Sequence, residues 1–217
     1  AISPKQMKMA IWISLIITFF LALCLIYVSF GLSNLVYSLI FIVLGVFSII
    51  AAIKYTVGKN AYGYSGFGDI FVFLFFGLLS TLGSYFLYTK NLDLKVFYPA
   101  ISVGLLSVAV LNLNNMRDIT NDKKANKNTL VVKMGSKNAK TYHFLLIAIS
   151  LISSLIFAYF FVSKWTAYLF IIAYIPLSIH LNKVVKTRNP KDFDPELKKV
   201  ALSTFLYAIL FAIGILL

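Results

Sequence analysis

Seven long apolar runs constrain the fold of this chain more than any other feature of its sequence. They cover approximately residues 9–30, 33–53, 69–89, 96–113, 141–162, 165–182 and 200–217. A helix that crosses a bilayer needs about 20 consecutive, mainly apolar residues. Only 12% of the residues are charged, about half the share found in an ordinary soluble domain. The sequence therefore predicts an all-α fold, a polytopic bundle of seven transmembrane helices.

The basic residues are unevenly divided between the two ends of the predicted helices. Of the 20 Lys and Arg residues, 17 fall in one alternating set of segments, and the other set holds only Lys90, Lys95 and Lys164. Cytoplasmic loops of membrane proteins carry such an excess of positive charge. Membrane orientation thus explains the net charge of +13 and argues against a nucleic-acid partner. We expect an integral protein of the bacterial cytoplasmic membrane, with the lipid bilayer as its partner and its oligomeric state open.

A polar stretch, 112–130, follows the fourth run and holds Asp118 and Asp122, two of only seven acidic residues in the chain. If the helix continues into this stretch, Asn115, Asp118 and Asp122 lie at i, i+3 and i+7 and project from one face. Carboxylate and amide oxygens suit Mg²⁺, which proteins commonly share with substrate phosphates. The stretch therefore predicts a divalent-metal site at the cytoplasmic end of the bundle.

Basic side chains accompany these acids. Arg117 and Lys127 can neutralise phosphate charge, and Arg117 can hold a phosphate through two parallel hydrogen bonds. Acids, bases and a membrane together indicate a lipid diphosphate as the ligand. The competing interpretation is that Asp118 and Asp122 only form ion pairs on a surface loop. We expect residues 114–140 to form a cytoplasmic cap loop that carries this motif.

The connection after the second run, 54–69, is rich in glycine and tyrosine. Glycine permits tight turns and close backbone approach. The tyrosines fit either an interfacial loop at the level of the lipid headgroups or a ligand-binding loop, and both interpretations stay open. Lys54 and Tyr55 are the candidate ligand contacts in this segment.

The remaining polar residues are predicted to be structural. His143 and His180 lie at the cytoplasmic ends of the fifth and sixth runs without a partner at metal-ligand spacing, so we expect both at the membrane interface. Residues 183–199 mix acids with bases, and Pro190 and Pro195 favour a loop. We expect a solvated connection there and no second metal site. Its acids are Asp192, Asp194 and Glu196.

Two separated motifs resemble those of a known family. The run from Asn114 to Leu130 resembles the NNxRDxxxDxxxGKxTL signature of 1,4-dihydroxy-2-naphthoate polyprenyltransferases, which belong to the UbiA superfamily of membrane prenyltransferases. Residues 55–77 resemble the loop and following helix of the same group. Where the signature has Gly this chain has Asn126, and we expect the change to be tolerated because Asn also enters the left-handed backbone region.

The resemblance implies a fold of nine spans, in which the seven runs correspond to spans three to nine. Residues 1–217 would then form a single prenyltransferase domain. The family also has a first Asp-rich motif, which is not found in this sequence. We therefore expect the chain alone to lack about half of the metal and diphosphate site and to be inactive.

The implied reaction moves a polyprenyl group from polyprenyl diphosphate to 1,4-dihydroxy-2-naphthoate, releases carbon dioxide and gives a demethylmenaquinone. Mg²⁺ would be held by Asp118, Asp122 and Asn115, and the two aspartates would be the catalytic residues. Aromatic faces would stabilise the cation-like allylic carbon. The residues expected to contact the substrates are Asn115, Arg117, Lys54, Tyr55 and Lys127.

Two other functions fit parts of the sequence. A related prenyltransferase would act on 4-hydroxybenzoate or make haem O. An ion-coupled transporter would use the acid pair as an ion site. Such a site belongs near the bilayer midplane, whereas Asp118 and Asp122 lie beyond the apolar run. The position of the acids therefore favours the enzyme.

Overall fold

The computed structural model describes residues 2–58 and 61–217, and these residues form a helical bundle. Its α-helices are α1 (Pro4–Phe30), α2 (Leu35–Thr56), α3 (Gly68–Val72), α4 (Ser80–Thr89), α5 (Phe97–Lys124), α6 (Leu130–Phe161), α7 (Tyr174–Lys186) and α8 (Asp194–Leu216). Short 3₁₀ helices cover Tyr62–Tyr64, Leu94–Val96, Trp165–Ala173 and Pro190–Phe193, and Phe73–Leu79 forms a π-helical segment between α3 and α4.

Seven helical segments of the described chain are long and apolar enough to cross a membrane. Five are single helices or nearly so. The third, Gly68–Thr89, joins α3, the π-helical segment and α4, and the sixth, Trp165–Lys186, joins a 3₁₀ helix to α7. The predicted all-α bundle of seven spans is confirmed. Lys59, one of the 17 basic residues of the richer side, lies outside the described residues.

Helix α5 is the most deeply buried span. Its apolar core residues Leu106, Ala109 and Leu113 have no exposed surface. It packs against α6, α8 and the π-helical segment. Helices α1 and α2 differ, since only Ile26 and Phe30 of α1 are buried and α2 buries a single residue. The apolar outer surfaces of α1 and α2 therefore suit contact with lipid chains.

The polar stretch forms two helices instead of the expected loop. Helix α5 continues to Lys124 and α6 begins at Leu130, so within the segment predicted as a cap loop, 114–140, only 125–129 and a kink at Gly135 (φ 79°, ψ 161°) are non-helical. The reason is amphipathic spacing, because Met116 and Ile119 remain buried on the core face of α5 while Asn121, Lys123 and Lys124 are exposed. Asp118 and Asp122 therefore lie on a continuous helix.

Two glycines bring the third span close to α5. A Cβ atom built on Gly77 would lie 2.6 Å from the Cα of Gly104 and 2.9 Å from the carbonyl oxygen of Ala100. Small residues of this kind let helix backbones approach closely in membranes. Gly77 lies inside the π-helical segment, a form that often occurs at functional sites. Close approach at Gly77 fixes the third span beside the helix that carries the acids.

We predict that Gly77→Val destabilises the protein by about 1–3 kcal/mol, the usual cost of overpacking. The added side chain would meet the backbone of α5, which cannot move aside as a flexible side chain can. Thermal unfolding in detergent measures the effect. Gly45→Val is the matched control, because a Cβ there meets nothing within 4 Å. Equal unfolding midpoints for the two variants would contradict the close approach.

Candidate active site

The last turns of α5 carry the predicted acidic face. Asn115 and Asp122 are 4% and 7% exposed, and the side chain of Asp118 is 32% exposed. The three residues lie on one side of a continuous helix, as their spacing predicts. The face points partly into the protein, so its carboxylates meet a restricted environment rather than bulk water.

Arg117 forms a clamp at this end of the bundle. Its Nε and Nη2 donate to the two carboxylate oxygens of Asp118, each at 2.9 Å. Nη2 also donates to Oδ1 of Asn114 at 2.7 Å, and Nη1 donates to Oδ1 of Asp194 at 2.9 Å. Planar guanidinium geometry suits such forked contacts with carboxylates. Arg117 thereby ties α5 to the first residue of α8.

Asp122 has one occupied and one free carboxylate oxygen. Lys127 Nζ lies 3.3 Å from Oδ1. Oδ2 is buried and has no hydrogen-bond partner among the described residues. A buried acceptor without a partner is costly and rare in folded proteins. An oxygen in this state is suited to a cation brought by a ligand.

The turn between α5 and α6 orients Lys127. Asn126 adopts φ 53°, in the left-handed region, as the resemblance led us to expect. The backbone N–H of Lys127 donates to the carbonyl oxygen of Asp122 at 2.9 Å, and Ala125 N–H donates to Asn121 at 2.9 Å. Thr129 then caps α6, because its side chain accepts from Val132 N–H.

The tyrosine-rich loop docks on this turn. Asn128 N–H donates to the carbonyl oxygen of Tyr64 at 2.9 Å, and Lys133 Nζ donates to that of Ser65 at 2.7 Å. Gly66 fits between them with φ +86°, where a Cβ would lie 3.1 Å from the carbonyl oxygen of Asn128. The two motifs that are far apart in sequence therefore form one surface.

Stacked aromatic rings form the inner side of this loop. The Tyr55 and Tyr62 ring centroids lie 5.4 Å apart in an edge-on pair, and Tyr62 stacks on Phe71 at 3.8 Å. The Tyr62 hydroxyl donates to the carbonyl oxygen of Ala51 at 2.7 Å. Burial raises the pKa of Tyr62, with a further rise from the neighbouring Tyr55. The Tyr62 phenol therefore stays neutral.

Two apolar cavities flank the third span below the loop. A cavity of about 430 Å³ is bordered by Tyr55, Tyr62 and Phe75. A second, of about 410 Å³, lies between the third span, α5 and α8 and reaches Asn114, which is bonded to Arg117. Both are also bordered by Val72 and Phe76. Apolar space thus extends from the aromatic loop and from the Arg117 clamp into the bundle.

Comparison with known proteins decides the family. The family model described as UbiA prenyltransferase family matches residues 1–209. The chain belongs to the UbiA prenyltransferase family. This membership confirms the resemblance carried by the two motifs.

Two similar proteins match the chain over its whole length, and a third matches part of it. The chain is 40% identical over 216 residues to the 1,4-dihydroxy-2-naphthoate octaprenyltransferase of Haemophilus influenzae and 39% identical to that of Escherichia coli, and each match covers 100% of this chain and 70% of the relative. It is 38% identical over 95 residues to UbiA prenyltransferase domain-containing protein 1 of Dictyostelium discoideum, covering 44% of this chain and 29% of that protein. No solved structure gives a match.

The structure of this UbiA-family chain brings most of the predicted site residues together. Arg117 contacts Asp118, and Lys127 contacts Asp122. Lys127 Nζ also lies 6.0 Å from the ring centroid of Tyr64, which links the acids to the loop. Lys54 is the exception. It is exposed in the last turn of α2 and forms no ion pair with any described residue.

Three polar residues near the site were not among the sequence candidates. Asn112 is fully buried, and neither polar atom of its amide has a partner among the described residues. Asp69, in α3, is 5% exposed with Oδ2 unpartnered. Asp194, expected in a solvated loop, pairs with Arg117. Helical spacing could have identified Asn112 as a candidate, because it lies one turn before Asn115. Asp69 could have been identified because it is one of only seven acidic residues.

The prediction that the two histidines lie at the membrane interface is wrong. His143 and His180 are fully buried, with their Nε2 atoms 2.8 Å apart. His180 Nδ1 lies 2.7 Å from Glu196 Oε2, and Lys199 Nζ donates to both oxygens of Glu196. Glu196 is 1% exposed, so its assignment to a solvated connection was also wrong. The network joins α6, α7 and α8 next to Asp194.

We predict that Asn126→Val lowers the free energy of unfolding by about 1–2 kcal/mol, because a β-branched residue is strained in the left-handed region. Asn126→Gly should leave stability nearly unchanged. Thermal unfolding in detergent measures both. Asn128→Val, in the same exposed turn without a positive φ, is the matched control. A loss of the same size in the control would show that the turn conformation is not the cause.

Proposed function

We propose that this protein transfers a polyprenyl group from polyprenyl diphosphate to 1,4-dihydroxy-2-naphthoate. The bond between the allylic carbon and the diphosphate oxygen breaks, a bond to the naphthoate ring forms, and carbon dioxide leaves, which gives demethylmenaquinol, the reduced form of a demethylmenaquinone. The names of the relatives from Haemophilus influenzae and Escherichia coli support this acceptor. The observation that carries the proposal is the joining of the acidic face to the tyrosine-rich loop through Asn128 and Tyr64.

The acidic face fits Mg²⁺. Asp118, Asp122 and Asn115 supply hard oxygen donors, and the buried, unpartnered Oδ2 of Asp122 is an acceptor in need of a cation. No group of three acidic, histidine or cysteine side chains in the described part of the chain is arranged to hold a metal. Mg²⁺ characteristically keeps water and phosphate oxygens as further ligands. When bound, it would neutralise the negative charge that grows on the departing diphosphate.

Arg117 and Lys127 would bind the diphosphate itself. In the structure each is paired with an acid, Arg117 with Asp118 and Lys127 with Asp122. If Asp118 and Asp122 take a metal, the two cations exchange their carboxylate partners for phosphate oxygens. Asp194 keeps hold of Arg117 during this exchange, because its carboxylate binds a separate nitrogen, Nη1. Arg117 would therefore stay in position while its other nitrogens bind phosphate oxygens of the substrate.

The aromatic loop and the cavities below it would hold the prenyl group. As the diphosphate leaves, positive charge develops on the allylic carbon, and the negative faces of aromatic rings stabilise such charge. Tyr55 and Tyr62 border the cavity closest to this loop. Its apolar walls would also exclude water, which would otherwise attack the cation. Lys54, on the exposed end of α2, contributes to this proposal only as a candidate contact of the diphosphate.

We further propose that residues 1–217 act as one domain in the bacterial cytoplasmic membrane, with the acidic face towards the cytoplasm. The excess of basic residues at that end of the spans supports this orientation. Substrate and acceptor would meet where α5 leaves the apolar part of the bundle. An acid pair at the end of a span suits a lipid diphosphate, whose charged group lies at the membrane surface.

We predict that Asp118→Asn and Asp122→Asn each lower kcat by at least about 100-fold, the effect of removing one electrostatic contact to a charged transition state. The assay uses full-length protein with polyprenyl diphosphate, 1,4-dihydroxy-2-naphthoate and Mg²⁺. Product formation is measured across a Mg²⁺ titration. Asp192→Asn removes an exposed carboxylate and serves as the matched control. Near-normal turnover by either site variant would overturn the metal site.

We predict that 1,4-dihydroxy-2-naphthoate is prenylated at least about 100-fold faster than 4-hydroxybenzoate under the same conditions, because a site shaped for one set of polar groups leaves buried groups unpaired with another. Haem, the acceptor for haem O synthesis, is tested in parallel. Chromatographic separation of the prenylated products measures each rate. Faster prenylation of 4-hydroxybenzoate or haem would contradict the proposed acceptor while leaving the prenyltransferase assignment intact.

A further inference from the structure

A basic groove between α6 and α7 lies apart from the proposed active site. It has a volume of about 690 Å³, and its charged residues are Lys137, Lys140 and Arg188. No acid borders it, and none of the three cations pairs with a carboxylate of the described residues. Three cations held near one cavity without an acid attract an anion. We propose that this groove binds the headgroup of an anionic phospholipid.

One of the three cations, Lys140, holds the α6 and α7 sides of the groove together. Lys140 Nζ donates to the carbonyl oxygens of Val185 and Thr187, which lie at the carboxyl end of α7. Last-turn carbonyls lack partners within their own helix, and a Lys side chain can satisfy them. Lys140 thus joins α6 to α7 and holds the two sides of the groove together. Lys137 and Arg188 remain exposed and are available to a ligand.

The groove has basic side chains at one end and apolar side chains at the other, which matches the headgroup and acyl chains of a phospholipid. Lys137, Thr141 and Phe144 follow one another at helical spacing on α6 and line the same side. Phe144 is 51% exposed, and from Phe144 onward α6 contains only apolar and hydroxyl side chains. Val185 adds an apolar side chain, 68% exposed, from α7. A phosphate at Lys137 and Arg188 would therefore have its acyl chains directed along exposed apolar surface.

The position of the groove also agrees with its ligand. It lies at the end of α6 that follows the turn 125–129, the end richer in basic residues. Basic pockets between transmembrane helices on the cytoplasmic side are recognised sites for anionic headgroups. A free phosphate would use the cations but would leave the apolar half of the groove unoccupied. The combination of both halves favours a phospholipid.

The test measures lipid binding to the full-length protein in a neutral detergent by native mass spectrometry. Wild-type protein should bind phosphatidylglycerol at least about 10-fold more tightly than phosphatidylcholine. The double variant Lys137→Gln/Arg188→Gln should bind phosphatidylglycerol roughly 30-fold more weakly, because each basic residue near an anionic surface contributes about a fivefold effect. Each single variant should lose about fivefold, which tests the site with a smaller perturbation.

The matched control is Lys5→Gln/Lys8→Gln, which removes two exposed cations from the start of α1. It should bind phosphatidylglycerol as wild type does. Equal binding of the two lipids, or an equal loss in the control, would overturn the site. Competition by inorganic phosphate at the lipid concentration would show a soluble-phosphate site and would overturn the phospholipid assignment.

Enzyme kinetics separate the groove from the substrate site. The Lys137→Gln/Arg188→Gln variant should keep the wild-type KM for polyprenyl diphosphate in detergent without added phospholipid, because neither residue touches the acidic face or the tyrosine-rich loop. A tenfold rise in KM would show that the groove binds the substrate diphosphate, which overturns this inference and leaves the proposed reaction standing. An inactive wild-type enzyme with selective phosphatidylglycerol binding would instead overturn the proposed reaction alone.

Discussion

The site depends on the unbroken continuation of α5 from the apolar core into a polar environment. In lipid a backbone must satisfy its own hydrogen bonds, so the helix cannot end inside the bilayer without a replacement for them. Because α5 is buried by α6, α8 and the third span, its orientation is fixed well before it reaches Asn115. The acids at Asp118 and Asp122 inherit that orientation. A flexible loop would not have fixed the distance between these two carboxylates.

Contacts at the end of α5 bring the tyrosine-rich loop and the start of α8, which are distant in sequence, next to the acidic face. The tyrosine-rich loop reaches the α5–α6 turn through Asn128 and Lys133, and α8 reaches α5 through Asp194. Each contact uses a backbone carbonyl oxygen or a pair of charged side chains. The buried network of His180 and Glu196 holds the start of α8 in the position from which Asp194 meets Arg117.

Local patterns predicted the parts of this structure that depend on local physics. Hydropathy gave the seven spans, helical spacing placed Asp118 and Asp122 on one face, and backbone preference anticipated the left-handed Asn126. The histidine network could not be predicted in the same way, because His143 and His180 are 37 residues apart on separate helices. Pro195 was interpreted as a loop signal, although it lies in the first turn of α8, where proline is well tolerated.

The clamp of Arg117 on Asp118 is compatible with a metal site because both side chains remain partly open to solvent. The Arg117 side chain keeps 26% of its surface exposed and the Asp118 side chain 32%, so a ligand can reach both charged groups from solvent. In the proposed function, Asp118 would bind a divalent cation and Arg117 would bind the diphosphate. Until these ligands bind, Arg117 and Asp118 form a neutral pair, which avoids an unpaired carboxylate near the membrane; in the proposed function the pair would separate when the substrate binds. Lys127 and Asp122 repeat the arrangement one turn later.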